Sequence, residues 1–166
     1  MDWAHQAQDD PEWNDFVAGN AGGGGALLFG RVTYELMASF WPTPMATSQM
    51  PEVAEGMNRA PKYVCSRTLA RVAWSNTTLL AGELVSAVRA LKATPGPNLT
   101  ILGSGSVVAQ LSEARLVDTY QIVLNPIALG AGRSPFDGLT RNLALRHTST
   151  RSFRNGSVLL QYEPRS

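Results

Sequence analysis

Cysteine is nearly absent from the 166 residues, Cys65 being the one thiol, and histidine is scarce, with His5 and His147 alone. A lone cysteine excludes an intramolecular disulfide and any cysteine-cluster metal site, and two histidines serve zinc poorly. No metal is expected, and a reducing, cytoplasmic setting fits. Charged residues make up 16% of the chain, below the usual value of about 25%. Fourteen Lys and Arg against 13 Asp and Glu leave a net charge of +1. No field of one sign is available to hold nucleic acid or an anionic membrane, so an anionic ligand must be met by a local site. No run reaches the roughly 18 apolar residues of a spanning helix. Met1-Asp2-Trp3-Ala4-His5-Gln6 lacks a basic segment followed by an apolar one, so neither a membrane span nor an export signal is expected. Common catalytic signatures are missing as well. There is no Gly-x-x-x-x-Gly-Lys, no Gly-x-Ser-x-Gly and no His-Glu-x-x-His, which removes sequence support for P-loop, hydrolase-elbow and zincin chemistry.

What is present is an apolar fraction of 44% in a chain close to the ~150 residues of one domain, so residues 1–166 are expected to form a single domain around one core. Asp10 can cap a helix over 10–19, with Pro11 suited to its first turn and Trp13, Phe16 and Val17 at helical spacing. Gly22 to Gly25 should break it. Ala26 to Phe29 reads as a buried strand ended by Gly30, and Val32 to Phe40 as a helix. Pro42, Pro44 and Pro51 mark an irregular segment before helical turns at Glu52 to Asn58. Strands are expected at 62–65 and 77–80. A helix follows through Leu84, Val85, Val88 and Leu91, stopped by Thr94-Pro95-Gly96-Pro97. Leu99 to Leu102 repeats the strand-glycine-helix pattern, with Gly103-Ser104-Gly105-Ser106 leading into a helix over 107–111. Residues 118–124 alternate as a strand. Segments 143–153 and 158–162 flank Asn155-Gly156, a strong hairpin signal. Strands alternating with helices and a terminal hairpin predict an α/β fold: a three-layer arrangement with a mixed, mostly parallel central sheet, helices on both faces and a C-terminal antiparallel hairpin.

Chemistry concentrates at the two strand-glycine-helix junctions. A helix start offers unpaired N–H groups and a positive dipole, and glycine lets a phosphate approach the backbone. If the strands are parallel, both junctions face the carboxyl edge where open α/β sheets bind ligands. Gly30-Arg31-Val32-Thr33 also places a guanidinium in a first helical turn, where the dipole disfavours it, and arginine suits bidentate phosphate binding. Ser66-Arg67 is a phosphate or ribose contact or a plain surface turn. The Rossmann fingerprint fails, because Val108 stands where the third glycine belongs. His147 fits a half-buried strand position better than a base, Cys65 a core position, and Asp9-Asp10-Glu12 a helix cap. Phosphate-binding junctions without a protein nucleophile point to cofactor chemistry.

These segments resemble the dihydrofolate-reductase-like reductases, and most closely the C-terminal reductase domain of the bifunctional riboflavin-biosynthesis deaminase-reductase and its small stand-alone relatives. The resemblance runs through Leu27 to Glu35, Lys62 to Arg67, Ile101 to Val107, Val117 to Tyr120 and Pro126 to Phe136. It implies the dihydrofolate-reductase-like fold and an NADPH site. Gly30, Arg31, Thr33, Ser66 and Arg67 would meet the adenosine 2′-phosphate end, and Gly103, Ser104, Gly105, Ser106 and Val107 the pyrophosphate. The Leu129 to Gly132 loop resembles the loop near the family's substrate side.

Relatives open with an apolar strand that this sequence lacks before Asp2. Either the true start lies upstream, or another strand or subunit fills the gap. The implied activity is NADPH-dependent reduction of a small polar substrate, pteridine-like or ribosylaminopyrimidine-like. No pterin-binding carboxylate and no deaminase zinc motif stand out. The alternative is a non-catalytic nucleotide-binding or interaction protein that kept the fold. A homodimer is expected from the open sheet edge and from apolar residues such as Trp41, with no nucleic acid or membrane as partner.

Overall fold

The computed structural model describes residues 10–165. In chain order the elements are α1 (Pro11–Gly22), β1 (Ala26–Gly30), α2 (Arg31–Phe40), α3 (Pro44–Gln49), α4 (Pro51–Arg59), β2 (Lys62–Cys65) and β3 (Thr77–Leu80). They continue with α5 (Leu84–Lys92), β4 (Leu99–Ile101), α6 (Gly105–Glu113), β5 (Tyr120–Leu124), β6 (Leu145–Ser152) and β7 (Val158–Pro164).

Local chemistry accounts for most boundaries. The Asp10 carboxylate accepts the N–H groups of Glu12 at 3.1 Å and Trp13 at 3.3 Å, capping α1 as its position suggests. Its second oxygen accepts the Asn155 N–H at 3.0 Å, which ties the cap to the β6–β7 turn. Helix α1 runs past residue 19 and ends at Gly22, the first of the four glycines expected to break it. Packing overrides propensity here: Ala21 is buried, and a Cβ added to Gly56 of α4 would stand 2.9 Å from the Gly22 Cα. Backbone meets backbone where α1 crosses α4. The proline segment is also more ordered than its composition suggests. Pro44 occupies the start of α3 and the Thr43 hydroxyl accepts the Ala46 N–H, so proline initiates a turn of helix instead of preventing one.

The first sheet is parallel throughout, in the order β3-β2-β1-β4. Strand β1 lies inside it and is buried on both sides. Leu27 and Phe29 join Tyr34, Val53, Met57 and Trp74 on one face, and Leu28 joins Val88, Val107 and Leu111 on the other. Helices therefore cover both faces. The antiparallel strands form a second sheet, β5-β7-β6, with Asn155-Gly156 in the hairpin turn and Gly156 at φ +85°. A single mixed sheet was expected; among the described residues β4 and β5 share no ladder. Gly103 at φ +70° and Ser104 at φ +61° swing the chain out of the short β4 into α6. Side chains tie β5 and the segment before it to the helices: the Tyr120 hydroxyl donates to Ser112 Oγ of α6 at 2.7 Å, and Lys92 of α5 pairs with Asp118. The expectation of a missing opening strand concerns the chain before Asp10 and lies outside the described residues.

Two side chains depart from their sequence reading. His147 is exposed, because the ladder slips between His147 and Ser149 and breaks the alternation that suggested burial. Lys62, at the start of β2, is only 1% exposed. Its ammonium folds back to donate to the carbonyls of Met57 at 2.8 Å, Asn58 at 3.1 Å and Ala60 at 2.7 Å, at the end of α4. It also lies 4.5 Å from the centre of the Trp74 ring. Burial pushes it down to about 8.

Candidate functional site

Because β2, β1 and β4 are adjacent and parallel, their carboxyl ends lie side by side, with Gly30 opposite Cys65 and Leu28 opposite Ile101. The three segments singled out in the sequence therefore meet at one edge. The two glycine-led junctions are joined directly. The Gly30 N–H donates to Ser104 Oγ at 2.9 Å, and a Cβ on Gly30 would lie 3.2 Å from Val107 Cγ2. Glycine is needed at 30 for this close approach, not for an unusual dihedral.

Ser104 holds the second junction together in a left-handed conformation, φ +61° and ψ +60°. Its carbonyl accepts the N–H groups of Val107 and Val108, while its hydroxyl is occupied by Gly30. The N–H groups of Gly105 and Ser106 are left without a protein acceptor among the described residues, at the positive end of α6. Helix α2 likewise starts at Gly30 with no side-chain cap. Two helix N-termini thus converge on one patch, which is an arrangement that attracts phosphate. Thr33 borders it, 3.8 Å from where a Gly103 Cβ would stand.

Arg31 opens α2, and its guanidinium pairs with Glu35 one turn on, at 2.9 Å and 3.2 Å. Both side chains are nearly half exposed. An exposed pair of this kind holds an arginine by only a few tenths of a kcal/mol, so Glu35 keeps the guanidinium at the edge without locking it. Ser66 uses its hydroxyl locally, accepting from the Thr68 and Leu69 N–H groups at 3.1 Å and 2.9 Å to hold the turn after β2. Arg67 beside it is exposed. The Val107 side chain is buried, packing with Leu28 on one face of β1 and reaching Gly30 at the edge.

Cys65 ends β2 near this edge, but burial and the neighbouring Glu83 carboxylate push its thiol up to about 11. It stays protonated and is a poor nucleophile. His147 is on β6, with its ring against Tyr162. Among the described residues no group of three or more His, Cys, Asp or Glu could hold a metal ion.

Sequence reasoning missed two parts of the surroundings. The loop after β5 reaches the start of α6, where Pro135 Cα and Ser134 O would lie 3.7 Å and 3.8 Å from a Gly105 Cβ. The Gly105-Ser106 pairing of small residues was the available signal. A cleft of about 170 Å³ also opens beside Leu102, between α1, α2 and α4. Trp41, expected on the surface, is half-buried in its wall with its indole N–H on Met37 Sδ at 3.1 Å. A separate hollow of about 240 Å³ between Phe136 and Leu145 borders the second sheet, and its Arg141 is held by Glu113.

These features define an α/β protein whose parallel sheet carries two coupled, glycine-led helix starts at its carboxyl edge. The chain belongs to the RibD C-terminal domain family, a reductase-like family whose model matches residues 1–159. It is 25% identical over 136 residues to the uncharacterised protein YyaP of Bacillus subtilis, covering 82% of this chain and 72% of that one. Among solved structures it is similar to a protein named for riboflavin biosynthesis from Shewanella sp. PV-4, with a TM-score of 0.74, 24% identity, and coverage of 100% of this chain and 88% of that one. A pyrimidine reductase-like protein from Corynebacterium diphtheriae follows, with a TM-score of 0.65, 16% identity, and coverage of 95% and 82%. Acinetobacter baumannii RibD matches with a TM-score of 0.63 at 11% identity, over 93% of this chain and 50% of that longer one. These structural likenesses speak for the fold, which is the dihydrofolate-reductase-like arrangement expected from the sequence.

Proposed function

We propose that this chain is an NADPH-dependent reductase acting on a small molecule, folded as one domain and working in the cytoplasm. The observation that carries the reading is the Gly30–Ser104 hydrogen bond, which locks two uncapped helix starts together and leaves the Gly105 and Ser106 N–H groups unmet. The donor set fits a dinucleotide phosphate: backbone amides and the Ser106 hydroxyl at the pyrophosphate, with Thr33 beside them. Arg31 and Arg67, on neighbouring strand ends, suit a 2′-phosphate. When bound, NADPH supplies a hydride to the substrate. The residues of the chain bind and orient; among the described residues no acid or base lines the cleft beside Leu102, and the reading takes the proton from solvent.

A titration with NADPH and NADH read by thermal shift tests the cofactor, since a ligand at 100 times its dissociation constant stabilises by about 2.7 kcal/mol. Stabilisation by NADPH over NADH is expected, and equal or absent shifts would remove the assignment. The lack of a protein acid or base in the cleft also favours a second reading, nucleotide binding without turnover. Binding with no loss of NADPH absorbance across carbonyl and imine substrates would select it. The homodimer reading moves from Trp41 to Val32 and Leu36, 69% and 60% exposed one turn apart on α2. A monomer mass by light scattering at micromolar concentration would refute it.

A further inference from the structure

We infer that the cleft beside Leu102 binds a flat, uncharged ring compound carrying no phosphate, and that such compounds are the substrate class of this reductase; the second clause rests on the function proposed above.

The position is set by α2. Thr33 meets Gly103 at the phosphate-binding edge, and Met37 and Trp41 follow at intervals of four residues on the same face. Leu102 immediately precedes Gly103 and lines the cleft with them. One helical turn is about 5.4 Å, so the cleft begins about a turn from the helix starts that offer the phosphate donors and continues away from them.

The lining sets the chemistry. Among the described residues its lining is apolar apart from Asn20, with Met37, Trp41, Met57 and Leu102 as its large side chains, and includes no Lys, Arg or His. A phosphate placed there would lose water without gaining a counter-charge or a donor set. Because the Trp41 N–H is already taken by Met37 Sδ, the indole has only its ring to offer a ligand, which suits a flat aromatic partner. The Asn20 amide has no protein partner among the described residues and can donate to or accept from one ring heteroatom. At about 170 Å³ the cleft is smaller than the roughly 300–1,000 Å³ of sites for larger ligands. An uncharged ring system suits this lining, and a phosphate does not.

The test uses the full chain with quinoxaline, a neutral two-ring heteroaromatic, and ribose 5-phosphate as the opposing probe, each with and without NADPH. Quinoxaline is expected to raise the melting temperature and quench tryptophan fluorescence with or without NADPH, and ribose 5-phosphate to do neither once NADPH occupies the phosphate-binding edge. Trp41→Phe should abolish most of the quench while keeping binding, and Met37→Lys should weaken quinoxaline by about ten-fold or more, since it brings an unpaired charge into the cleft. Stabilisation of the NADPH-bound chain by ribose 5-phosphate and not by quinoxaline would overturn the ligand class. So would quenching that persists in Trp41→Phe, a variant too conservative to unfold the chain. Quinoxaline binding with these variant effects but no response to NADPH would sustain the cleft assignment and remove the reductase reading instead.

Discussion

Replacing Lys62 by methionine removes a buried ammonium while keeping most of the side-chain volume. Three carbonyls at the end of α4 lose their shared donor. The Asn58 carbonyl retains the Asn76 side-chain amide at 3.1 Å, but those of Met57 and Ala60 are left without another side-chain donor. An orphaned buried acceptor costs about 1–3 kcal/mol, and the lost contact with the Trp74 ring adds about 0.5–2 kcal/mol. Methionine returns part of this because no ammonium has to be desolvated. A net loss of about 3 kcal/mol is expected, a large share of the roughly 5–15 kcal/mol of a folded domain. Urea unfolding of the two proteins measures it, and a loss below about 1 kcal/mol would refute the accounting of orphaned acceptors. The pH dependence gives a separate check. The folded group titrates near 8 against an ordinary 10.5, so between those values the unfolded chain holds more protons and native stability rises with pH. Wild type should gain stability relative to Lys62→Met across that window. A flat difference would mean that the three carbonyls hold the proton as firmly as water does.

Arg31→Ala should weaken NADPH by about ten-fold with little effect on NADH, as expected of a lost charge-assisted contact to a 2′-phosphate; equal losses in a parallel titration would remove that role. Its effect on stability should stay within about 0.5 kcal/mol, the range of an exposed pair. Ser104→Ala leaves the Gly30 N–H without its acceptor, and should cost about 1–3 kcal/mol in chemical unfolding while also weakening the nucleotide; unchanged affinity would separate the junction from the site. Burial raises the Asp10 carboxyl, but four backbone N–H groups outweigh it and hold it below 3.8. Its contribution is therefore present at neutral pH and lost as pH falls through the folded value. The gap in melting temperature between wild type and Asp10→Asn should close on acidification, and a gap that persists in acid would refute the assignment.

The strand-glycine-helix junctions were legible because the information is local: Leu27 to Gly30 and Ile101 to Gly105 each combine a buried run, a glycine and a helical period. The parallel sheet, the helices on both faces and the hairpin at Asn155-Gly156 followed from the same kind of signal. Long-range facts were not legible. Lys62 reads as an ordinary strand residue until the end of α4 is placed over it. Ser104 shows no sign in sequence that its hydroxyl belongs to Gly30, 74 residues away. The division of the sheet depends on which strand edges meet, and the cleft beside Leu102 requires α1, α2 and α4 to converge. Helix α3 was hidden because three prolines within ten residues read as an irregular segment, although Thr43-Pro44 is a helix start.

The crossing of Gly22 and Gly56 places α1 and α4 backbone to backbone, and these helices supply Asn20 and Met57 to opposite walls of the cleft. The gauge of that opening is set by a hydrogen atom in place of a side chain. A single methyl at residue 56 would wedge the walls apart without altering any group that a ligand touches. For the ring ligands inferred above, selectivity for size would be vested in a residue with no chemistry of its own, and a screen of lining positions alone would pass over it.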